Sequence, residues 1–190
     1  MKYVSIDIET TGISVDNCDI LEFGAILDDL NDIVPIETLP SYHCYFVKDT
    51  YQGEPYALSM HPAIFRRIAN REDGYKYVNA MKFGHGFKCF LKLNGFEEKH
   101  DRVTINVAGK NFGGFDLQFL NRKTDLSKHV QIRHKIIDPA ILYLNKGDEV
   151  LPGLDECKYR AGLNAHVAHN ALDDARDVVR LVRKKLIGRV

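Results

Sequence analysis

The sequence predicts a mixed α/β fold, a central sheet flanked by helices. Two observations carry this: three strand-like runs joined by short polar turns near the start, then alternating strand and helix patterns from residue 102 onward. Over residues 3–9, Val4, Ile6 and Ile8 face one way and Ser5, Asp7 and Glu9 the other, the period of a strand, which Thr10-Thr11-Gly12 ends. Apolar runs at 20–27 and 43–47 read as two further strands. Asp28, Asp29, Asn31 and Asp32 supply turn chemistry between them, so the three form an antiparallel meander. Residues 62–70 and 78–93 have helical spacing (Ile64, Ile68; Met81, Phe87, Phe90, Leu91), the second run broken around Gly84 and Gly86. Residues 102–108 alternate again as Val103, Ile105 and Val107. They lead through Gly109 into a helix starting near Gly113, with Phe115, Phe119 and Leu120 on its buried side. One more strand and a short helix follow over 134–144, a helix over 152–161 and a last helix over 171–187. That helix has the stripe Ala175, Val178, Val179, Val182 and Leu186, and Gly188 as its stop.

A chain of 190 residues with 45% hydrophobic content buries a substantial core, and residues 1–190 read as one domain. Lys plus Arg (26) equal Asp plus Glu (26), which excludes the bulk positive field of a DNA-coating protein; a nucleic-acid partner must be gripped locally. Cys18, Cys44, Cys89 and Cys157 are far apart and form no CxxC pair, arguing against a zinc site and a disulfide framework and for reduced thiols. No apolar run reaches the ~18 residues needed to span a bilayer. The expectation is a cytoplasmic protein with no membrane partner.

Acidic residues in three separate segments point to chemistry: Asp7 and Glu9 in VSIDIETTGI, Asp116 in KNFGGFDLQFL, and the Asp173-Asp174 pair after His169 in HNALDDARDVV. Side chains two apart on a strand share a face, so Asp7 and Glu9 present carboxylates about 7 Å apart. Hard divalent ions such as Mg²⁺ or Mn²⁺ prefer oxygen ligands and relieve the repulsion between such groups. Phosphodiester hydrolysis with two cations needs one bridging carboxylate and others that fix each ion. A histidine, with its pKa near neutrality, is suited to take a proton from the attacking water. Each position also has a plainer reading: Asp116 favours a helix dipole, Asp7 and Glu9 suit a solvated strand end, and His169 suits the surface. Spacing leaves Asp173 and Asp174 both open, and the joint occurrence carries the argument.

The segments DIETTG, NFGGFD and HNALDDA resemble the three motifs of the DEDDh 3′→5′ exonuclease superfamily, which includes proofreading exonucleases and oligoribonuclease. The resemblance spans nearly the whole chain. It implies a ribonuclease-H-like fold with a central mixed five-stranded sheet, two divalent cations (Mg²⁺ or Mn²⁺), Asp7, Glu9, Asp116 and Asp174 as their ligands, and His169 as general base. This selects Asp174 over Asp173. The implied reaction releases nucleoside 5′-monophosphates from the 3′ end of single-stranded DNA or RNA. A proofreading or repair DNA exonuclease subunit, and a catalytically silent nucleic-acid-binding scaffold, are the alternatives. A second copy of the chain or a replication or repair protein is the expected protein partner. Phe112 stands where many proofreading members have Asn, with Asn111 one residue earlier, a shift shared with oligoribonuclease-like members.

Substrate contacts are expected from Thr10, Thr11 and Gly12 at the turn after the first strand, from Met60 as an apolar wedge under the terminal base, and from Phe115 as a stacking surface. Met60 and Phe115 equally suit core positions. The Arg176, Arg180, Arg183 and Lys184 stripe reads as a solvated face before a phosphate track, and Asp138 as a structural cap before a further acid of the site.

Overall fold

The computed structural model describes residues 1–166 and 169–188; the one-domain expectation for 1–190 thus reaches over 167, 168, 189 and 190, which lie outside the described residues. Strands β1 (Lys2–Thr10), β2 (Ile20–Asp29) and β3 (Ser41–Phe46) form the expected antiparallel meander, with Asp7 opposite Gly24, Glu9 opposite Glu22 and Glu22 opposite Tyr45. Helices α1 (Pro55–Met60) and α2 (Pro62–Asn70) each begin on a proline, whose fixed φ and missing N–H suit a first helical position. Strand β4 (Tyr77–Val78) returns parallel to β3. After α3 (Phe83–Leu93) come β5 (Glu98–Lys99), β6 (Arg102–Ile105) and β7 (Val107–Ala108). The mixed five-stranded sheet runs β4-β3-β2-β1-β7, with β7 parallel to β1. Helices α4 (Asp116–Lys123) and α5 (Leu126–His129), strand β8 (Val130–Ile132), and helices α6 (Pro139–Leu142), α7 (Leu154–Arg160) and α8 (Ala171–Ile187) complete the order.

Alternation decides what each sheet face buries. Val4, Ile6, Ile8, Phe23, Ala25, Cys44 and Phe46 join Phe83, Phe87 and Leu91 of α3 and Phe119 and Leu120 of α4 in the larger core. The opposite face packs Tyr3 and Ile26 against Ala175, Val178, Val179 and Val182 of α8. At ~2–3 kcal/mol for each fully buried large side chain, these two layers supply most of what opposes chain entropy.

Four details depart from the periodicity. Residues 102–108 are two strands, split at Asn106: β6 belongs to a second sheet, β5-β6-β8, while the Asn106 carbonyl accepts from Val4 N as β7 joins β1. Helix α3 runs straight through Gly84 and Gly86; Gly84 is needed because an added Cβ would lie 2.8 Å from the Asp125 carbonyl oxygen. The strand expected after residue 134 lies earlier, as β8, and Ile137 contributes a single bridge to Ala108. Leu186 is half exposed, because Arg183 already sits over the end of β2 and the next turn passes beyond the sheet. Among the described residues no helix is long and apolar enough to cross a membrane.

Candidate metal centre

Ser5, Asp7 and Glu9 occupy the β1 face toward α8, and the helix is fastened there by a 2.8 Å hydrogen bond from Ser5 Oγ to the Ala175 carbonyl. Directly across from Asp7, Gly24 leaves room for the helix backbone: a Cβ there would fall 2.3 Å from atoms of Ala171 and Leu172. Asn170 caps α8, its side-chain oxygen accepting from Leu172 N and Asp173 N at 3.2 Å. The first turn therefore carries Asp174 down onto the strand, and one carboxylate oxygen from each of Asp7, Glu9 and Asp174 lies within 4.8 Å of the others. Asp173 points away, exposed and paired with Arg176.

Asp116, the first residue of α4, reaches the site from the other side. Strand β7 pairs with β1 only at Val4 and Ser5, and farther along, the Ile8 N–H donates to Asp116 Oδ1 at 3.2 Å. His169 immediately precedes the cap residue, exposed, with a left-handed φ of 48° that non-glycine residues adopt at some cost. Buried His61 stands beside the cluster, its Nε2 3.5 Å from Glu9 Oε2.

The electrostatics are those of a cage waiting for positive charge. Burial, then the charges of Asp116, Glu9 and Asp174, hold the Asp7 carboxyl well above the usual carboxylate range. Burial first and Glu22 next push Glu9 up to about 8. Burial raises Asp116 to about 7 against hydrogen bonds from backbone N–H groups, its own and that of Ile8, that pull it down. Burial lowers His61, with the charge of Glu22 opposing. Such carboxyls take up protons when no cation is present, and an all-oxygen donor set of this kind fits a hard divalent ion.

The expected substrate residues are mostly engaged within the protein. Thr10 Oγ1 donates to the Gly12 carbonyl at 2.8 Å, and Thr11 Oγ1 bonds the Gln52 carbonyl and accepts from Asp19 N. The backbone at Thr11 is engaged as well, its N–H donating to the Asp19 carbonyl at 2.9 Å and its carbonyl accepting from Glu54 N at 2.7 Å. Met60 ends α1 and is 38% exposed, while Phe115 is half-buried against Phe119. The solvated-face reading of the α8 stripe is corrected at Arg183, which is buried on Asp28; Arg176 and Arg180 are part-exposed and pair with Asp173 and Asp177, and Lys184 is exposed. Asp138 caps α6 and accepts from Asn111 N, the structural role expected of it. Sequence reasoning missed His61, His43 and Glu22. The available signal was Glu22 itself, a lone acid inside the apolar run ILEFGAIL that is fully buried in β2.

A mixed five-stranded sheet in this order, with carboxylates from its strand β1 and from helices α4 and α8 brought to one place, defines a ribonuclease-H-like domain with a candidate acidic cation site. No family model matches the chain. DNA polymerase III subunit epsilon of Treponema pallidum (strain Nichols) is 26% identical over 186 residues, covering 93% of this chain and 72% of the relative. A solved structure of exonuclease I superposes with a TM-score of 0.61 at 16% identity over 98% of this chain. Escherichia coli exonuclease I in complex with a 5cy-dA13 oligonucleotide superposes with a TM-score of 0.60 at 16% identity. The chain spans about two fifths of the length of these exonuclease I chains, 42% and 41%. In its motifs, its fold and its likeness to this polymerase subunit the chain resembles the DEDDh-like 3′→5′ exonuclease superfamily.

Proposed function

We propose that residues 1–190 act as one exonuclease unit that removes nucleoside 5′-monophosphates from the 3′ end of single-stranded nucleic acid. The observation that carries this is the group Asp7, Glu9 and Asp174, three carboxylates with ligand atoms within 4.8 Å of one another. Together with Asp116 they would hold two divalent cations, Mg²⁺ or Mn²⁺. Bound there, the ions would acidify the attacking water and stabilise the leaving 3′ oxygen. The work of this chain's own residues is separate. His169 takes the water's proton at an imidazole nitrogen, from an exposed position at the mouth of the site. The turn of Thr10, Thr11 and Gly12 borders the terminal nucleotide, Met60 wedges beneath its base and Phe115 offers a stacking surface.

Single-stranded DNA is the favoured polymer, because the relatives of known structure include exonuclease I bound to dT13 and dA16 oligonucleotides. The polymerase-subunit relative supports a second reading, a proofreading or repair exonuclease working beside a replication protein. A cytoplasmic location with reduced cysteines suits both; the four thiols are free, three of them buried. The test is digestion of 5′-labelled single-stranded DNA and RNA with Mn²⁺ or Mg²⁺, comparing wild type with Asp174→Ala and His169→Ala. We expect a ladder shortening from the 3′ end, abolished by the first substitution and slowed about 10²–10⁴-fold by the second. Absence of metal-dependent shortening of either polymer would refute the reading in favour of a silent binding scaffold.

A further inference from the structure

Beside the carboxylate cluster lies a fifth acid that the proposed ligand set does not use. Glu22 stands directly opposite Glu9 across the β1–β2 ladder, so both side chains leave the same sheet face, the one that also carries Asp7 and receives α8. Its side chain is fully buried. One oxygen, Oε1, is paired with His43 Nε2, which comes from the same face of the next strand, opposite Gly24. His43 is itself fixed between the rings of Tyr45 and Tyr75 at centroid distances of 5.1 and 6.1 Å. The other oxygen, Oε2, is buried and has no hydrogen-bond partner. Leaving a buried acceptor unsatisfied is unfavourable, more so when it is charged, so a carboxylate oriented on one oxygen and idle on the other calls for a donor.

We propose that Glu22, oriented by His43, is a positioning residue of the cation site: its Oε2 accepts a hydrogen bond from the water shell of the bound ion on the β2 side. This rests on the exonuclease reading and extends it by one residue. The site then has acids on both flanks of β1, Asp116 on the β7 side and Glu22 on the β2 side, with Asp7 and Glu9 between them. A hydrogen-bonding partner behind a metal site typically carries 10–100-fold in affinity. His43 is the brace that keeps Oε2 facing the site.

Glu22→Gln tests this, because the amide can keep an acceptor for His43 while setting a donor where Oε2 was. We expect the Mn²⁺ concentration giving half-maximal thermal stabilisation to rise about tenfold or more. The metal-free melting temperature should not fall, and lost nuclease activity should recover as Mn²⁺ is raised. Glu22→Met, which removes the charge without adding a donor, should raise the same midpoint. A midpoint within about threefold of wild type overturns the proposal, since it falls short of the range expected of such partners. Failure of both variants to fold, in chelator and in saturating Mn²⁺ alike, overturns it too, in favour of a structural anchor for His43. Wild-type protein that neither gains stability from Mn²⁺ nor shortens oligonucleotides sinks the exonuclease reading itself. Wild type that does both beside unshifted variants sinks only the role of Glu22.

Discussion

Removing one carboxylate from the cluster should make the metal-free protein more stable while abolishing its response to metal. Asp174 has an oxygen within 4.8 Å of both Asp7 and Glu9. At an effective dielectric near 20, two unit charges 4.8 Å apart repel by roughly 3.5 kcal/mol, so two such pairs come to roughly 7 kcal/mol, the ceiling for that separation with every group charged. Protonation lowers that ceiling: a Glu9 carboxyl pushed up to about 8 is mostly neutral at pH 7, and Asp7 is held higher than usual as well. What remains for Asp174→Asn is a gain of about 1–3 kcal/mol, which for a domain of this size raises the melting temperature by about 2–4 °C per kcal/mol. Calorimetry in chelator and in millimolar Mn²⁺ measures both effects. Wild type should gain about 2.7 kcal/mol when the ion stands at a hundred times its dissociation constant, and the variant almost nothing. A variant less stable than wild type in chelator, or one that keeps the full Mn²⁺ response, would refute the account of this cluster as a cation cage.

Glu9, Asp116 and Asp7 all bind their protons more tightly in the folded protein than ordinary carboxyls do. The native state is therefore the more protonated one above the usual carboxylate range. The stability this gives the metal-free protein is complete below about pH 4 and is lost as pH rises through about 7 to 8. Urea melts in chelator should show lower stability at pH 8.5 than at pH 5.5, and a rise instead would contradict the raised values. Asp28→Asn leaves the Arg183 guanidinium buried without its charge partner and replaces one of the two oxygens that serve Arg183 and Tyr3 Oη with an amide donor; the loss should be about 3–5 kcal/mol by denaturant melts, and a change under 1 kcal/mol would show the pair to be dispensable. Gly24→Ala forces the first turn of α8 off the sheet, so it should lose about 1–3 kcal/mol in chelator and weaken Mn²⁺ binding together. Unchanged Mn²⁺ affinity in that variant would mean that the close approach does not set the position of Asp174.

The parts of the fold that were legible in the sequence are those written in local periodicity. Val4, Ile6 and Ile8 against Ser5, Asp7 and Glu9 gave the first strand and the polarity of its faces, and Ala175, Val178, Val179 and Val182 gave the inner stripe of the last helix. Illegible were features fixed by contacts distant in sequence. The division of residues 102–108 between two sheets depends on which neighbours pair with Val103 and Val107, and nothing in the alternation encodes that. The helix through Gly84 is permitted by its packing on Asp125, 41 residues later, which overrides the weak local propensity of glycine. Arg183 read as solvated because charged stripes usually are; only the buried Asp28 on the second strand makes its burial tolerable. At the site, strand alternation singled out Asp7 and Glu9, while Asp174 was chosen over Asp173 only by the resemblance of HNALDDA to the third family motif; Glu22 and His61 come beside them through cross-strand and loop contacts and have no spacing signature.

The carboxylate cluster is assembled from opposite ends of the chain, Asp7 on its first strand and Asp174 on its last helix. During synthesis on the ribosome, at about 5–20 residues per second, the meander can fold some ten seconds or more before the residues that close the cage have emerged. A nascent chain stopped short of the last helix has Asp7, Glu9 and Asp116 but lacks Asp174 and the helix that covers that face of the sheet. On the proposed function, chemistry is thereby withheld from incomplete products of translation, and a truncation anywhere before residue 174 is expected to be inert rather than a poorly controlled nuclease.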